Sequence, residues 1–443
     1  MSNQVTTAAE SIPATIYRAA ILHFLADPDM QGAKAYEYFE DGAVVVTQGK
    51  ITALGEARDI ISAQANNTKI IEYPHHLITP GFIDTHIHFP QIEVIASHGK
   101  QLLDWLNNYT FPAEQKFNHK NYANQMANFF LDEMLRNGTT TASVFGSVHP
   151  QSVNAFFEAS QTRNTRMICG KVMMDRNAPP ALCDTPETSY QESKALIEKW
   201  HGNGRQLYAV TPRFAVSSSE QQLAAASRLI KEHPDTYLQT HIAENKDEVA
   251  YVKTLFPDRK DYLDVYDHHG LLGNKSTFAH GIHLNDRELK RLAESGSKIA
   301  FCPSSNLFLG SGLLDINRLE NNNITFSMAS DVGAGTSFSM LKTMDNAYKI
   351  SQLNHTPLCP LKCFYLATLG NAKSLMLDDK IGSLKVGNEA DFIVLNFQST
   401  ALMTLKQQQC QSLAEKLFAL IILGDDRNIS ATYIAGQLKY KSH

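Results

Sequence analysis

Cysteine is scarce in this sequence: Cys169, Cys183, Cys302, Cys359, Cys363 and Cys410 are the only six in 443 residues. They are too few and too scattered for a disulfide framework, so a reducing, cytoplasmic setting is expected. No Cys-x-x-Cys occurs, which excludes zinc knuckles and the zinc nucleobase deaminases that carry a Pro-Cys-x-x-Cys signature. Cys359 and Cys363 are read as helix residues. No apolar run approaches the roughly 20 residues that cross a bilayer, so no membrane contact is expected. The segment Met1–Pro13 is polar and lacks the basic-then-apolar pattern of a secretory signal. Neither charge sign is in excess: a net charge of −5 and a pI near 6.4 give no electrostatic reason to expect nucleic acid as a partner. Repeats and low-complexity tracts are also missing.

What remains is an ordinary globular composition, 43% hydrophobic and 19% charged. Its texture changes twice. Residues 1–80 are β-rich: Ala43–Val46 and Lys50–Leu54 flank Thr47-Gln48-Gly49 as a hairpin would, and Lys69–Tyr73 is another short strand. Residues 81–380 alternate strand-like and helix-like segments. The strand-like runs are Phe82–His88, Thr139–Phe145, Met167–Met173, Leu207–Thr211, Tyr237–His241, Thr277–His280, Lys298–Cys302 and Thr325–Met328. Asn121–Arg136 is helical in habit, with Tyr122, Met126, Phe129 and Phe130 as its apolar stripe. This alternation predicts an α/β fold, a closed (β/α)₈ TIM-like barrel. Residues 381–443 turn β-like again at Gly382–Gly387, Asp391–Leu395 and Ala431–Tyr440, with a helix over Gln411–Leu423. The two end pieces are expected to join into one small composite β-sandwich beside the barrel.

The barrel frame organises the chemistry, because active sites of such barrels lie at the C-terminal ends of the strands. His86 and His88 end the first strand, and a period of two points both the same way. The fourth strand is followed by Arg213 and Phe214. The fifth ends in His241, with Glu244 three residues on; the sixth ends in His280, and the eighth runs into Asp331. A lone strand-end histidine or aspartate is usually structural. Five strands delivering such residues to one end is a coincidence that points to a site. Imidazoles with a carboxylate suit Zn²⁺ or Fe²⁺ better than Ca²⁺ or Mg²⁺. A bound metal brings the pKa of a coordinated water to about 7, and a neighbouring carboxylate such as Glu244 can move protons. The chemistry is metal-assisted hydrolysis.

Pro80-Gly81-Phe82-Ile83-Asp84-Thr85-His86-Ile87-His88, with His241, His280 and Asp331, resembles the amidohydrolase superfamily of metal-dependent barrel hydrolases. Gly382–Asp391 is similar to that superfamily's closing C-terminal strand signature. More narrowly, His86–Gln91, Thr211-Pro212-Arg213-Phe214, Thr240–Asn245 and Asp331–Ser339 resemble the guanine deaminases within it. The resemblance covers essentially the whole chain. It implies hydrolysis of guanine to xanthine and ammonia, with one zinc ion on His86, His88, His241 and Asp331. Glu244 would pass a proton from the attacking water to the ring. Asp331 would help protonate the leaving ammonia, and His280 would orient hydroxide or polarise the substrate. Gln91 and Arg213 would bond the polar edge of guanine and Phe214 would pack on its ring. His88, His241, Glu244, His280 and Asp331 would also face the substrate. A homodimer is implied as well. No lysine stands at the fourth strand end, so the two-metal members with a carboxylated lysine are disfavoured.

Two alternatives stay open at this level: the same chemistry on cytosine, a triazine or an adenosine derivative, and a non-catalytic relative, which would be expected to have lost metal ligands. Val332–Phe338 has a glycine-rich look, but Phe338 stands where the dinucleotide fingerprint needs its third glycine. His75-His76 and His268-His269 are read as surface pairs. Gln101–Pro112, around Trp105, is either a lid over the site or a packing surface for a subunit or helix.

Overall fold

The computed structural model describes residues 14–99 and 101–442; Met1–Pro13, where the leader pattern was sought, lies outside them. The chain opens with β1 (Thr15–Phe24), β2 (Tyr36–Thr47), β3 (Lys50–Glu56) and β4 (Lys69–Pro80). The barrel strands follow: β5 (Phe82–His88), β6 (Thr139–Phe145), β7 (Arg166–Gly170), β8 (Val172–Met173), β9 (Gln206–Pro212), β10 (Tyr237–Ile242), β11 (Ser276–His280), β12 (Lys298–Phe301) and β13 (Phe326–Met328). The chain ends with β14 (Phe392–Asn396), β15 (Ile429–Ile434) and β16 (Gln437–Lys441).

β5 to β13 form a parallel sheet in sequential order, with β7 and β8 as two pieces of one stave, both pairing with β9. These are the eight strands expected from the sequence, within a residue or two at each end. The seam between β13 and β5 closes without a regular ladder. The Asn371 amide donates to Ile83 O (2.7 Å) and Met328 O (2.8 Å). Just beyond, Asp331 N donates to His86 O (3.0 Å) and His88 N to Val332 O (2.8 Å). Closure therefore carries Asp331 to the end of β5. Below the mouth the lumen is partly polar: Ser143 donates to Gln239 (2.7 Å), and Gln239 to Thr211 (3.1 Å).

Both chain ends build the second domain, one mixed sheet in the order β16-β15-β14-β4-β1-β2-β3. It curls until the β2–β3 end meets the segment before β14, where Ile51 N donates to Asn388 O and Ala390 N to Gly49 O, both 2.9 Å. The facing layers of the expected sandwich are thus one continuous sheet around Tyr17, Phe392 and Tyr433, whose ring centroids lie 4.5–4.9 Å apart. The hairpin turn puts Gln48 and Gly49 at φ 51° and 77°, the doubly left-handed geometry of a two-residue turn.

Two expectations need correction. Gly382–Gly387 is not a strand: Gly382 and Gly387 take φ 83° and 96°, which bends the segment into turns, and strand geometry resumes only at Phe392. The helix at Lys120–Arg136 buries Ala123, Ala127, Phe130, Leu131 and Met134, whereas Phe129 is 49% exposed and off the stripe.

Candidate active site

Period-two alternation on β5 sends His86 and His88 into the mouth, where their ring centroids lie 4.9 Å apart. His88 Nε2 is 3.2 Å from His86 Nε2 and 3.1 Å from His241 Nε2. Asp331 Oδ1 lies 3.2 Å from His86 Nε2 and 3.3 Å from His88 Nε2. His280 stands slightly apart, its Nε2 3.8 Å from Asp331 Oδ2 and 3.3 Å from Glu244 Oε2. Donor atoms of His86, His241, His280 and Asp331 fall within 4.8 Å of one another. His88 lies closer to this group than His280, as its shorter contacts show.

The protonation states suit a metal. Burial pushes the His88 imidazole down to about 3, and it takes His241 well below the usual histidine range, helped there by His86, His88 and His280. Burial works against ionisation of Asp331, but the adjoining His86 and His88 imidazoles outweigh it and hold the carboxyl well below its usual range. His241 Nδ1 lies 2.6 Å from Arg213 O and His280 Nδ1 2.9 Å from Asn306 Oδ1. Those acceptors place the ring proton on Nδ1 and turn the Nε2 lone pair inward. Neutral nitrogens crowded lone pair to lone pair cannot satisfy one another. Separations of 3.1–3.3 Å are those of ligands sharing one ion at about 2.0–2.1 Å, so the residues present fit a zinc-type cation.

The neighbouring groups are placed with equal care. Glu244, 4% exposed, accepts from Ser311 (3.1 Å); burial and the Asp331 charge push its carboxyl up to about 8. Glu248 accepts from Glu244 N (2.9 Å) and Asn245 N (3.1 Å), so it fixes the loop that carries Glu244. Ala243, His280 and Asp331 take left-handed φ of 47°, 73° and 53°. For non-glycine residues that conformation costs of order 1–3 kcal/mol each, and the surrounding bonds hold it. Asp84 does part of this work by accepting from Ser330 N (3.1 Å) and from its hydroxyl.

A cavity lies beside the cluster. Gln91, Arg213, Phe214, His88, His241, Glu244, His280 and Asp331 line it, and Leu102, Trp105 and Leu106 wall it. Every site residue singled out in the sequence therefore meets the others in one place, His86 lying behind His88 in the cluster. Trp105, 1% exposed, belongs to the cavity wall. Lys171, the buried lysine of the third stave, pairs with Asp184 and Glu192 away from the mouth. His75, His76, His268 and His269 are partly or fully exposed and stand away from it.

Sequence reasoning missed four residues. Phe145 ends β6 and backs the histidines, its ring 4.6–4.8 Å from those of His86, His88 and His241. Asn306 and Glu114 carry no local signal. Glu248 does: Asn245-x-x-Glu248 is a capping box at the start of Lys246–Leu255.

Residues 77–439 match the amidohydrolase family. The chain is 52% identical over 409 residues to the guanine deaminase of Escherichia coli (strain K12), covering 92% of this chain and 93% of that one. The solved structure of E. coli guanine deaminase superposes with a TM-score of 0.94 at 48% identity, over 97% of this chain and 99% of that one. The guanine deaminase of C. acetobutylicum, crystallised with guanine in its active site, gives a TM-score of 0.86 at 29% identity, over 96% and 100%. The chain belongs to the amidohydrolase family.

Proposed function

We infer that the protein is a guanine deaminase, which hydrolyses the exocyclic amine of guanine to give xanthine and ammonia. The observation that carries this reading is one cavity lined by a flat polar edge, Gln91 with Arg213, and by the histidine–aspartate cluster with Glu244. The 52% identity to a guanine deaminase supports the choice of substrate.

In this reading residues 81–380 do the chemistry, and residues 1–80 and 381–443 form the supporting β domain. His86, His88 and His241 through Nε2, and Asp331 through Oδ1, would hold one Zn²⁺; Fe²⁺ suits the same donors. When bound, the ion brings a coordinated water to a pKa of about 7 and so supplies a nucleophile at neutral pH.

The chain's own groups do the rest. Gln91 and Arg213 hold the polar edge of guanine, Phe214 packs on its face, and Trp105 closes the cavity wall against water. Glu244 takes a proton from the attacking water and gives it to ring N3. Its carboxyl, pushed up to about 8, would be drawn back by a cation toward the working pH, where an acid–base group is most effective. Asp331 passes the second proton toward the leaving ammonia. His280, 3.3 Å from Glu244 Oε2, orients the water.

The reading is tested by incubating purified, metal-replete protein with guanine, cytosine, adenine and ammeline. Xanthine and ammonia in equal amounts, with guanine the preferred substrate, is the expected result; preference for another ring replaces the assignment. Elemental analysis should return one zinc or iron per chain. The homodimer implied by the resemblance and the cytoplasmic location expected from the sparse cysteines go with this reading, and sedimentation and cell fractionation check them. Among the described residues no helix is long and apolar enough to cross a membrane.

A further inference from the structure

Glu114 lies behind the cavity wall on the short helix Phe111–Gln115 and is 1% exposed. Its carboxylate grips both groups that would read the substrate edge. Arg213 Nη1 donates to Glu114 Oε1 (2.9 Å) and Oε2 (2.7 Å), and Gln91 Nε2 donates to Glu114 Oε1 (3.1 Å). A carboxylate accepts hydrogen bonds and does not donate them. It therefore fixes which way the Gln91 amide turns: Nε2 toward Glu114, and Oε1 without a hydrogen-bond partner among the described residues. The remaining Arg213 N–H groups are likewise free of protein partners among the described residues. Gln91 and Arg213 line the cavity; Glu114 does not.

We propose that Glu114 determines which purine edge this pocket accepts, by holding Gln91 as an acceptor next to Arg213 as a donor. That pair fits a ligand presenting N–H beside a carbonyl and rejects one whose ring nitrogen there is an acceptor. The proposal rests on the guanine deaminase reading and deepens it. Guanine offers N1–H beside C6=O. 2-Aminopurine carries the same amine at C2, but its N1 is an acceptor and its C6 bears only hydrogen. A counter-ion for Arg213 alone would need no second contact, and it is the contact to Gln91 that sets the code.

Glu114→Gln breaks the code in a defined way. The new amide has one acceptor, which Arg213 takes, and its NH₂ turns the Gln91 oxygen toward itself. Gln91 then presents NH₂ to the cavity. In metal-loaded enzyme, kcat/KM for guanine relative to 2-aminopurine should fall roughly ten- to a hundredfold, since a satisfied contact becomes donor against donor. Competitive inhibition constants serve where turnover of 2-aminopurine is too slow to follow. Combining Glu114→Gln with Gln91→Glu returns an acceptor to the cavity, keeps one carboxylate beside Arg213, and should restore the guanine preference. A Glu114→Gln enzyme that loses both substrates equally, with an unchanged ratio, overturns the proposal. Should that variant be too unstable to purify, the double variant decides: retained guanine preference supports the proposal, and a shift toward 2-aminopurine overturns it. Absence of guanine turnover in the unaltered enzyme sinks the functional reading instead, and is told apart by that control.

Discussion

Two groups of buried charge occupy opposite ends of the barrel, and they are built on opposite rules. At the N-terminal ends of the strands, Arg166 and Arg205 meet Glu389 and Asp391, which lie just before β14. Every cation there faces a carboxylate, and Asp391 also accepts from Ala435 N (2.8 Å). At the mouth, His86, His88 and His241 bring their Nε2 atoms together around the single anion Asp331. The first group is complete and clamps the β domain to the barrel. The second gathers its donor atoms as a cation site would. Burial is similar in the two, so it is the pairing that separates a structural cluster from a functional one.

The sharpest way to test that contrast is to remove one member from each. His88→Ala should abolish both bound metal and turnover while leaving the fold intact, checked by elemental analysis, activity and circular dichroism. An active, metal-free variant would break the distinction. Glu244→Gln keeps size and hydrogen bonding but cannot carry a proton. Its kcat should drop by about 10²–10⁴-fold with metal content unchanged, and a kcat within about twofold of the parent would reassign the proton shuttle. At the other end, Arg205→Met strands Asp391 without its cation. Breaking a buried pair costs about 3–5 kcal/mol, to be read from denaturant unfolding, while kcat, KM and metal content per folded molecule stay at parental values.

These two ends were not equally legible in the sequence. The mouth was: His86 and His88 share a face by strand periodicity, and the remaining donors fall at strand ends that alternation alone locates. The clamp was not, because Arg205 and Asp391 are 186 residues apart, and the C-terminal signature that Asp391 closes says nothing of its partner. Glu114 was hidden for the same reason, since its partners Gln91 and Arg213 lie 23 and 99 residues away. Gly382–Gly387 misled because its apolar residues alternate as a strand's would, while its two terminal glycines set the backbone. Phe129 misled because a helix stripe read by eye widened by one residue.

The smallest effect concerns the cavity wall. Trp105 packs its ring into the protomer, 1% exposed, and donates from Nε1 to Ser97 O at 3.0 Å. So little of the ring remains for a neighbouring subunit that the lid and helix-packing readings of Gln101–Pro112 both stand ahead of the subunit reading. Trp105→Phe keeps an aromatic face but loses the hydrogen bond that ties the wall to the loop at Ser97. A neutral hydrogen bond contributes about 0.5–1.5 kcal/mol, so KM for guanine should rise roughly two- to tenfold. The metal cluster is untouched by this change, and kcat, zinc content and sedimentation behaviour should hold. An unchanged KM together with an altered assembly state would move Trp105 from the mouth to a subunit contact.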